Sequence, residues 1–166
     1  MIRVDHAGEF GALRSYEGQL AVLSRNPNAA ASTDAIKRMA EQERTHFDAL
    51  DKLVKHRAVR PTALEPVWHL AGFALGAATA LMGEKAAMAC TVAVEDVIDE
   101  HYAKQIDQLG DSDPELKTAL KKFHQDECEH REEALQHGAA QAPGYELLTS
   151  AIRLSCRIAI SLSERV

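Results

Sequence analysis

Residues 39–50 read MAEQERTHFDAL. Their apolar spacing is that of a helix whose buried stripe is interrupted by a carboxylate and an imidazole. Ile36, Met39, Glu43, His46, Leu50 and Leu53 step by three and four, so Glu43 and His46 occupy the row that an amphipathic helix turns toward a core. The arrangement returns in Leu116, Leu120, Phe123, Glu127, His130 and Ala134, a second E-x-x-H inside an apolar row. Single carboxylates interrupt two further rows: Glu9 among Leu13, Tyr16, Leu20 and Leu23, and Glu95 among Met88, Thr91, Ile98, Tyr102 and Ile106. Four helices therefore each aim at least one acid inward. Glu9 precedes the first E-x-x-H by 34 residues and Glu95 precedes the second by 32, so the chain reads as two helix hairpins of one design and predicts a pseudo-twofold bundle.

The bulk numbers agree with an all-α chain. A length of 166 residues suits one domain, 1–166, and 46% apolar residues with only 5% aromatic ones suit a helical core rich in Ala and Leu. Breaker clusters at 24–34, 57–66, 110–114 and 137–144 divide it into five or six helices. Asp113-Pro114 reads as an N-cap followed by the first helical position, and Ser32, Thr33 and Asp34 offer caps for the helix that holds residues 39–50. A formal charge of −6 argues against nucleic acid as a partner, since nucleic acid selects a basic face. Three cysteines (Cys90, Cys128, Cys156) without a C-x-x-C pair point to a reducing compartment, with no disulfide framework and no structural zinc. The opening MIRVDHAGEF has no charged-then-apolar leader, so no secretory signal is expected.

Burying an unpaired carboxylate costs several kcal/mol even after relaxation, so four converging acids need a compensating positive charge. Four glutamates supply −4 and two divalent ions supply +4, which balances the site at two metals. E-x-x-H places Glu and His on one helix face a turn apart. One Glu from each of two helices with an E-x-x-H from each of two others is the ligand set of carboxylate-bridged di-iron and di-manganese bundles. Carboxylate and imidazole without thiolate favour iron or manganese over a closed zinc site. The candidate ligands are Glu9, Glu43, His46, Glu95, Glu127 and His130. Glu9 and His46 are expected as terminal ligands of one ion, Glu95 and His130 of the other, with Glu43 and Glu127 bridging.

Asp126 is a candidate partner for the outer nitrogen of His46, or else a surface acid. Tyr102, seven residues beyond Glu95 on the same face, could contact substrate or relay protons or electrons; a core tyrosine with a satisfied hydroxyl is the alternative. His6 and His101 could support the ligands or simply cap and solvate. His56, His69, His124 and His137 read as solvated or structural.

From Val67 to Gly83 the sequence VWHLAGFALGAATALMG carries no acid, lysine or arginine. A spanning helix needs about 20 mainly apolar residues, and this one must deliver Glu95 to the core directly afterwards. A helix over about 66–83 is therefore expected to lie in a membrane interface or at the bundle mouth, with Trp68 and Phe73 as anchors. The final segment, YELLTSAIRLSCRIAISLSERV, is amphipathic, and its Arg153 and Arg157 would suit lipid headgroups or a partner.

RVDHAGEFGA, the EQERTH motif, RPT followed by GFALGAATALMGEKAAMACTVAVED, DECEH and the ending CRIAISLSERV together resemble the 5-demethoxyubiquinone hydroxylase family of ubiquinone biosynthesis. The resemblance covers essentially the whole chain. It implies a ferritin-like four-helix bundle with a carboxylate-bridged di-metal core and one or two additional amphipathic or apolar helices. It also implies a di-iron monooxygenase that hydroxylates the ring of a polyprenyl demethoxy-benzoquinol with dioxygen. Two iron ions, NADH as electron source, and a redox-relevant Tyr102 belong to the same implication. So do a peripheral place on the matrix face of the inner mitochondrial membrane or the cytoplasmic face of a bacterial one, a lipid-binding partner protein in animal members, and company with other ubiquinone-biosynthesis enzymes. Ser161 departs from the tyrosine of animal members, which leaves any role of that phenol unfilled. A ferroxidase, peroxidase or manganese catalase could use the same six ligands, and a membrane-docked quinone-binding scaffold with structural metals is the non-enzymatic alternative.

Overall fold

The computed structural model describes residues 1–166. Six helices carry the chain: α1 (Ile2–Leu23), α2 (Ala30–His56), α3 (Glu65–Leu81), α4 (Glu84–Leu109), α5 (Pro114–Gln136) and α6 (Tyr145–Ser163). Single 3-10 turns lie at Pro27–Ala29 and Ala139–Gln141, and no strand forms. Asp113 caps α5 as its sequence predicts, accepting the Leu116 N–H at 3.1 Å with Pro114 in the first turn. The cap expected for α2 is corrected. Asn26 accepts the Asn28 N–H at 3.1 Å and nucleates the turn at Pro27, which runs straight into a helix that starts at Ala30. Ser32, Thr33 and Asp34 therefore lie inside the first turns, and Ser32 instead donates to Glu84 at 3.0 Å.

α1 with α2 and α4 with α5 are the two antiparallel hairpins. Phe10 meets Phe47 in the first, with ring centroids 5.5 Å apart, and Asp96 and Asp99 meet Arg131 in the second. Tyr16–Glu95 contacts join the hairpins on one side and His46–Asp126 and Arg38–Glu133 contacts on the other. Since α2 and α4 run in the same direction, their connection must return along the bundle, and α3 is that crossover. The result is a ferritin-like four-helix bundle with two extra helices.

Two apolar slabs fill the bundle. One gathers Tyr16, Leu23, Ile36, Met39 and Met88; the other gathers Leu50, Ile98, Tyr102, Leu120 and Phe123. The four inward acids fall between the slabs on every helix, so the packing on both sides holds them in one layer.

α3 lies along α1, running the same way, backbone against backbone. A Cβ added at Gly76 would collide with the Ser15 carbonyl, one at Gly72 with the Gly11 carbonyl, and one at Gly18 with the Phe73 carbonyl. Only glycine permits that approach. Trp68 and Phe73, expected as anchors in the interface or at the bundle mouth, are half-buried and rest against the bundle. The Trp68 indole N–H donates to Ser163 Oγ at 3.0 Å, and the Arg14 guanidinium lies 5.0 Å over the Phe73 ring. Most of the large exposed apolar side chains are Val67, Leu70, Leu81 and Met82 around α3, and Leu147, Leu154, Ile158 and Leu162 on α6. Arg153 pairs with Asp96 at 2.7 Å and the exposed Arg157 with Glu100 at 3.0 Å, both across from α6 to α4. No helix is long and apolar enough to cross a membrane.

Candidate metal centre

Glu9 on α1, Glu43 and His46 on α2, Glu95 on α4, and Glu127 and His130 on α5 come together between the two slabs, all of them buried. Their donor atoms fall into two groups, Glu9, Glu43, His46 and Glu127 in one and Glu43, Glu95, Glu127 and His130 in the other. Within each group one atom from every residue lies within 4.8 Å of the rest. Glu43 and Glu127 belong to both.

The histidines aim the same nitrogen inward. His46 Nδ1 stands 3.4 Å from Glu9, 3.2 Å from Glu127 and 4.0 Å from Glu43, and His130 Nδ1 stands 3.1 Å from Glu43 and 3.3 Å from Glu127. Their outer nitrogens face acceptors: His46 Nε2 donates to Asp126 Oδ2 at 3.0 Å, and His130 Nε2 donates to Gln42 Oε1 at 3.3 Å. With the ring proton held outside, the Nδ1 lone pairs point at carboxylate lone pairs. Acceptor against acceptor is repulsive unless a cation, proton or metal, stands between. Both oxygens of Glu43 and Glu127, one oxygen each of Glu9 and Glu95, and both Nδ1 atoms have no hydrogen-bond partner. Satisfied buried polar atoms are the rule, so eight orphans facing one layer fit a pair of metal ions.

Electrostatics carry the same demand. Burial pushes Glu43 well above the usual carboxylate range, with the charges of Glu127 and Glu9 adding to it; burial and Glu127 push Glu95 well up too. Glu127 is raised by burial. Glu9 is lowered, since burial acts against it but hydrogen bonding by His46 and Glu43 prevails. His46 is raised to about 10, because its contacts with Glu127 and Glu9 outweigh burial. Burial lowers His130.

Two tyrosines complete the layer. Tyr102 donates its hydroxyl to Glu9 Oε1, and Tyr16 donates to Glu95 Oε1 at 2.6 Å. Each tyrosine reaches from one hairpin to the glutamate of the other, and the remaining Oε2 of each glutamate is left for the centre. Tyr102 therefore touches a candidate ligand, with its hydroxyl satisfied by Glu9. Tyr16 and Gln42 were not singled out from the sequence. The signal for Tyr16 was present, since Glu9 to Tyr16 and Glu95 to Tyr102 share a spacing of seven. Asp126 takes the role expected of it and is itself held by Lys122. His101 and Gln105 bind the buried Asp5 at 3.0 and 2.6 Å, and His6 lies 3.7 Å from Asp51, so neither histidine touches the six. His56 and His69 are exposed, and His137 is half-buried.

Beside the layer, α1, α3, α4 and α6 enclose an apolar cavity of about 280 Å³. Gly8, Ala12, Val94 and Ile98 form its floor, one residue or one turn from Glu9 and Glu95, while Trp68 and Leu75 contribute its roof.

Comparison with known proteins matches residues 1–163 to the family model described as ubiquinone biosynthesis protein COQ7. A 3-demethoxyubiquinol 3-hydroxylase of Rhodospirillum rubrum is 52% identical over 165 residues, which cover 99% of this chain and 76% of that protein. A mitochondrial NADPH-dependent 3-demethoxyubiquinone 3-hydroxylase of Homo sapiens is 49% identical over 170 residues, covering 100% and 76%. A mitochondrial 5-demethoxyubiquinone hydroxylase of Saccharomyces cerevisiae is 38% identical over 182 residues, covering 100% and 77%. Matched by that family model over residues 1–163, and with relatives of this identity along its length, the chain belongs to the ubiquinone biosynthesis protein COQ7 family.

Proposed function

We propose that this chain, acting as one domain over residues 1–166, is an enzyme of ubiquinone biosynthesis that hydroxylates the ring of a polyprenyl demethoxy-benzoquinol with dioxygen. The observation that carries this reading is the pair of overlapping four-residue groups that share Glu43 and Glu127. Relatives named as demethoxyubiquinone hydroxylases support the reaction class. Two iron ions, when bound, supply the dioxygen chemistry. Glu9 and His46 with Glu43 and Glu127 would hold one ion, and Glu95 and His130 with the same Glu43 and Glu127 would hold the other. Asp126 and Gln42 fix the two imidazoles with the donor lone pair inward, and Tyr16 and Tyr102 hold the terminal carboxylates.

The apolar cavity takes the quinol ring. Its volume of about 280 Å³ lies near the lower end of small-molecule pockets, which run from about 300 Å³ upward, so a ring with a short length of tail fills it. The rest of a polyprenyl chain must leave between α3 and α6, whose exposed apolar residues flank that exit. A tail that stays in a bilayer draws the enzyme to the membrane surface, where the family resemblance implies the matrix or cytoplasmic face. Electrons come from a reduced nicotinamide nucleotide; NADH was the expectation from resemblance, whereas the human relative is named NADPH-dependent. The lipid-binding partner protein and other biosynthetic enzymes remain part of the proposal by family resemblance alone.

Dioxygen uptake by the reduced, iron-loaded protein tests the reading. A short-chain demethoxyquinol should stimulate uptake and appear as hydroxylated product. Uptake driven by ferrous iron alone, with no quinol dependence and no product, would replace the hydroxylase with a ferroxidase.

A further inference from the structure

Outside the buried layer, one cluster combines three different metal-binding side chains. His124 and Cys128 stand four residues apart on α5 and share a face, and Asp99 of α4 lies opposite them. Asp99 Oδ1 is 2.7 Å from His124 Nε2 and 3.3 Å from Cys128 Sγ, and one donor atom from each of the three lies within 4.8 Å of the others. The other carboxylate oxygen is engaged elsewhere: Arg131 holds Asp99 Oδ2 at 3.0 Å while reaching Asp96 Oδ1 at 3.4 Å.

We propose that Asp99, His124 and Cys128 form a second metal site, for one zinc-like divalent cation, on the outer face between α4 and α5. The donor set decides the metal class. One nitrogen, one sulfur and one carboxylate oxygen with space for a water is the composition of an open tetrahedral zinc site, and the thiolate separates it from the sulfur-free layer inside. The spacing is close to what is needed. Bond lengths of about 2.0–2.3 Å put tetrahedral donors roughly 3.3–3.8 Å apart. The Asp99–Cys128 separation already matches, and the His124–Asp99 separation must widen by under about 1 Å. The cation takes the place of the protons now shared with Asp99 Oδ1, and the thiol proton leaves to solvent. Arg131 keeps Oδ2 occupied, so Oδ1 is the oxygen presented to the ion. Access is open, because the side chains of His124 and Asp99 are 33% and 22% exposed.

An ion bound here ties α4 to α5 from outside, through Asp99 four residues beyond Glu95 and Cys128 adjacent to Glu127. It constrains the same two helices that carry the inner acids without using any of them.

Cobalt(II) is the probe, titrated into the full-length, iron-loaded protein. One equivalent should produce a near-ultraviolet thiolate-to-cobalt charge-transfer band that one equivalent of zinc abolishes. The inner six residues contain no sulfur and cannot give that band, so the result is independent of the hydroxylase reading. Cys128→Ser should remove the band while helicity and iron content stay at the parent level. His124→Gln should weaken cobalt binding by about tenfold or more. Cys90→Ser and Cys156→Ser should leave it intact. Absence of the band from the parent protein, or its persistence in Cys128→Ser, overturns the site.

Discussion

Tyr16 and Tyr102 donate to Glu95 and Glu9 across the bundle, so each hydroxyl removes one of the two oxygens its glutamate could offer. Tyr16→Phe strips the Glu95 side of that constraint and leaves a buried acceptor unpaired, a cost of about 1–3 kcal/mol. The expected outcome is a chain that remains helical but binds one of the two proposed irons about tenfold more weakly, as for other losses of support around a ligand. Iron content after dialysis against a graded chelator checks this; two irons held as tightly as in the parent would contradict it. At this scale the six candidate ligands were legible because helical periodicity exposes a charge in a core row. Gln42 was not, since a glutamine next to a seam residue looks like surface until its partner helix is known. His124 was set aside for a related reason: its neighbour Asp99 lies on another helix, 25 residues away in sequence.

At the scale of elements, the exposed apolar residues of α3 and α6 lie on the two helices that wall the cavity exit. That arrangement moves the membrane-contact prediction from Trp68 and Phe73 to Leu70 and Leu154. Leu70→Glu combined with Leu154→Glu should leave the protein folded and abolish its flotation with liposomes. Undiminished flotation would defeat the proposed membrane surface. The existence of α3 was plain from its uncharged run, and its orientation was not, because a helix apolar on every side has no polar stripe to read. The GFALG spacing at residues 72–76 was the overlooked clue: Gly72 and Gly76 face α1, and that choice rests Trp68 and Phe73 against the bundle. The α2 start was misplaced for a local reason, the turn capped by Asn26.

For the molecule as a whole, the inner layer sets how stability responds to pH. His46 has its value raised from 6.5 to about 10, and burial with like charges raises Glu43 and Glu95 well above 4.5. The folded, metal-free chain therefore binds more protons than the unfolded chain between pH 6.5 and about 10, and its stability falls as pH rises through that window. Each retained proton contributes up to about 1.4 kcal/mol per pH unit. Thermal melts in chelator should shift downward from pH 6.5 to 9, and loading with ferrous iron should remove most of that slope. A metal-free melting point that climbs over this range would show that the layer does not carry the charge assigned to it.

The contact of Ser15 with Gly76 has a mechanical corollary. With no side chain between the two backbones, α3 cannot slide along α1 as a lubricated surface would; it is keyed in place like a tooth in a notch. If a long hydrocarbon tail enters as proposed, it has to be accommodated at the α6 side, whose seam with α3 is closed by side chains, Trp68 on Ser163, rather than by backbone.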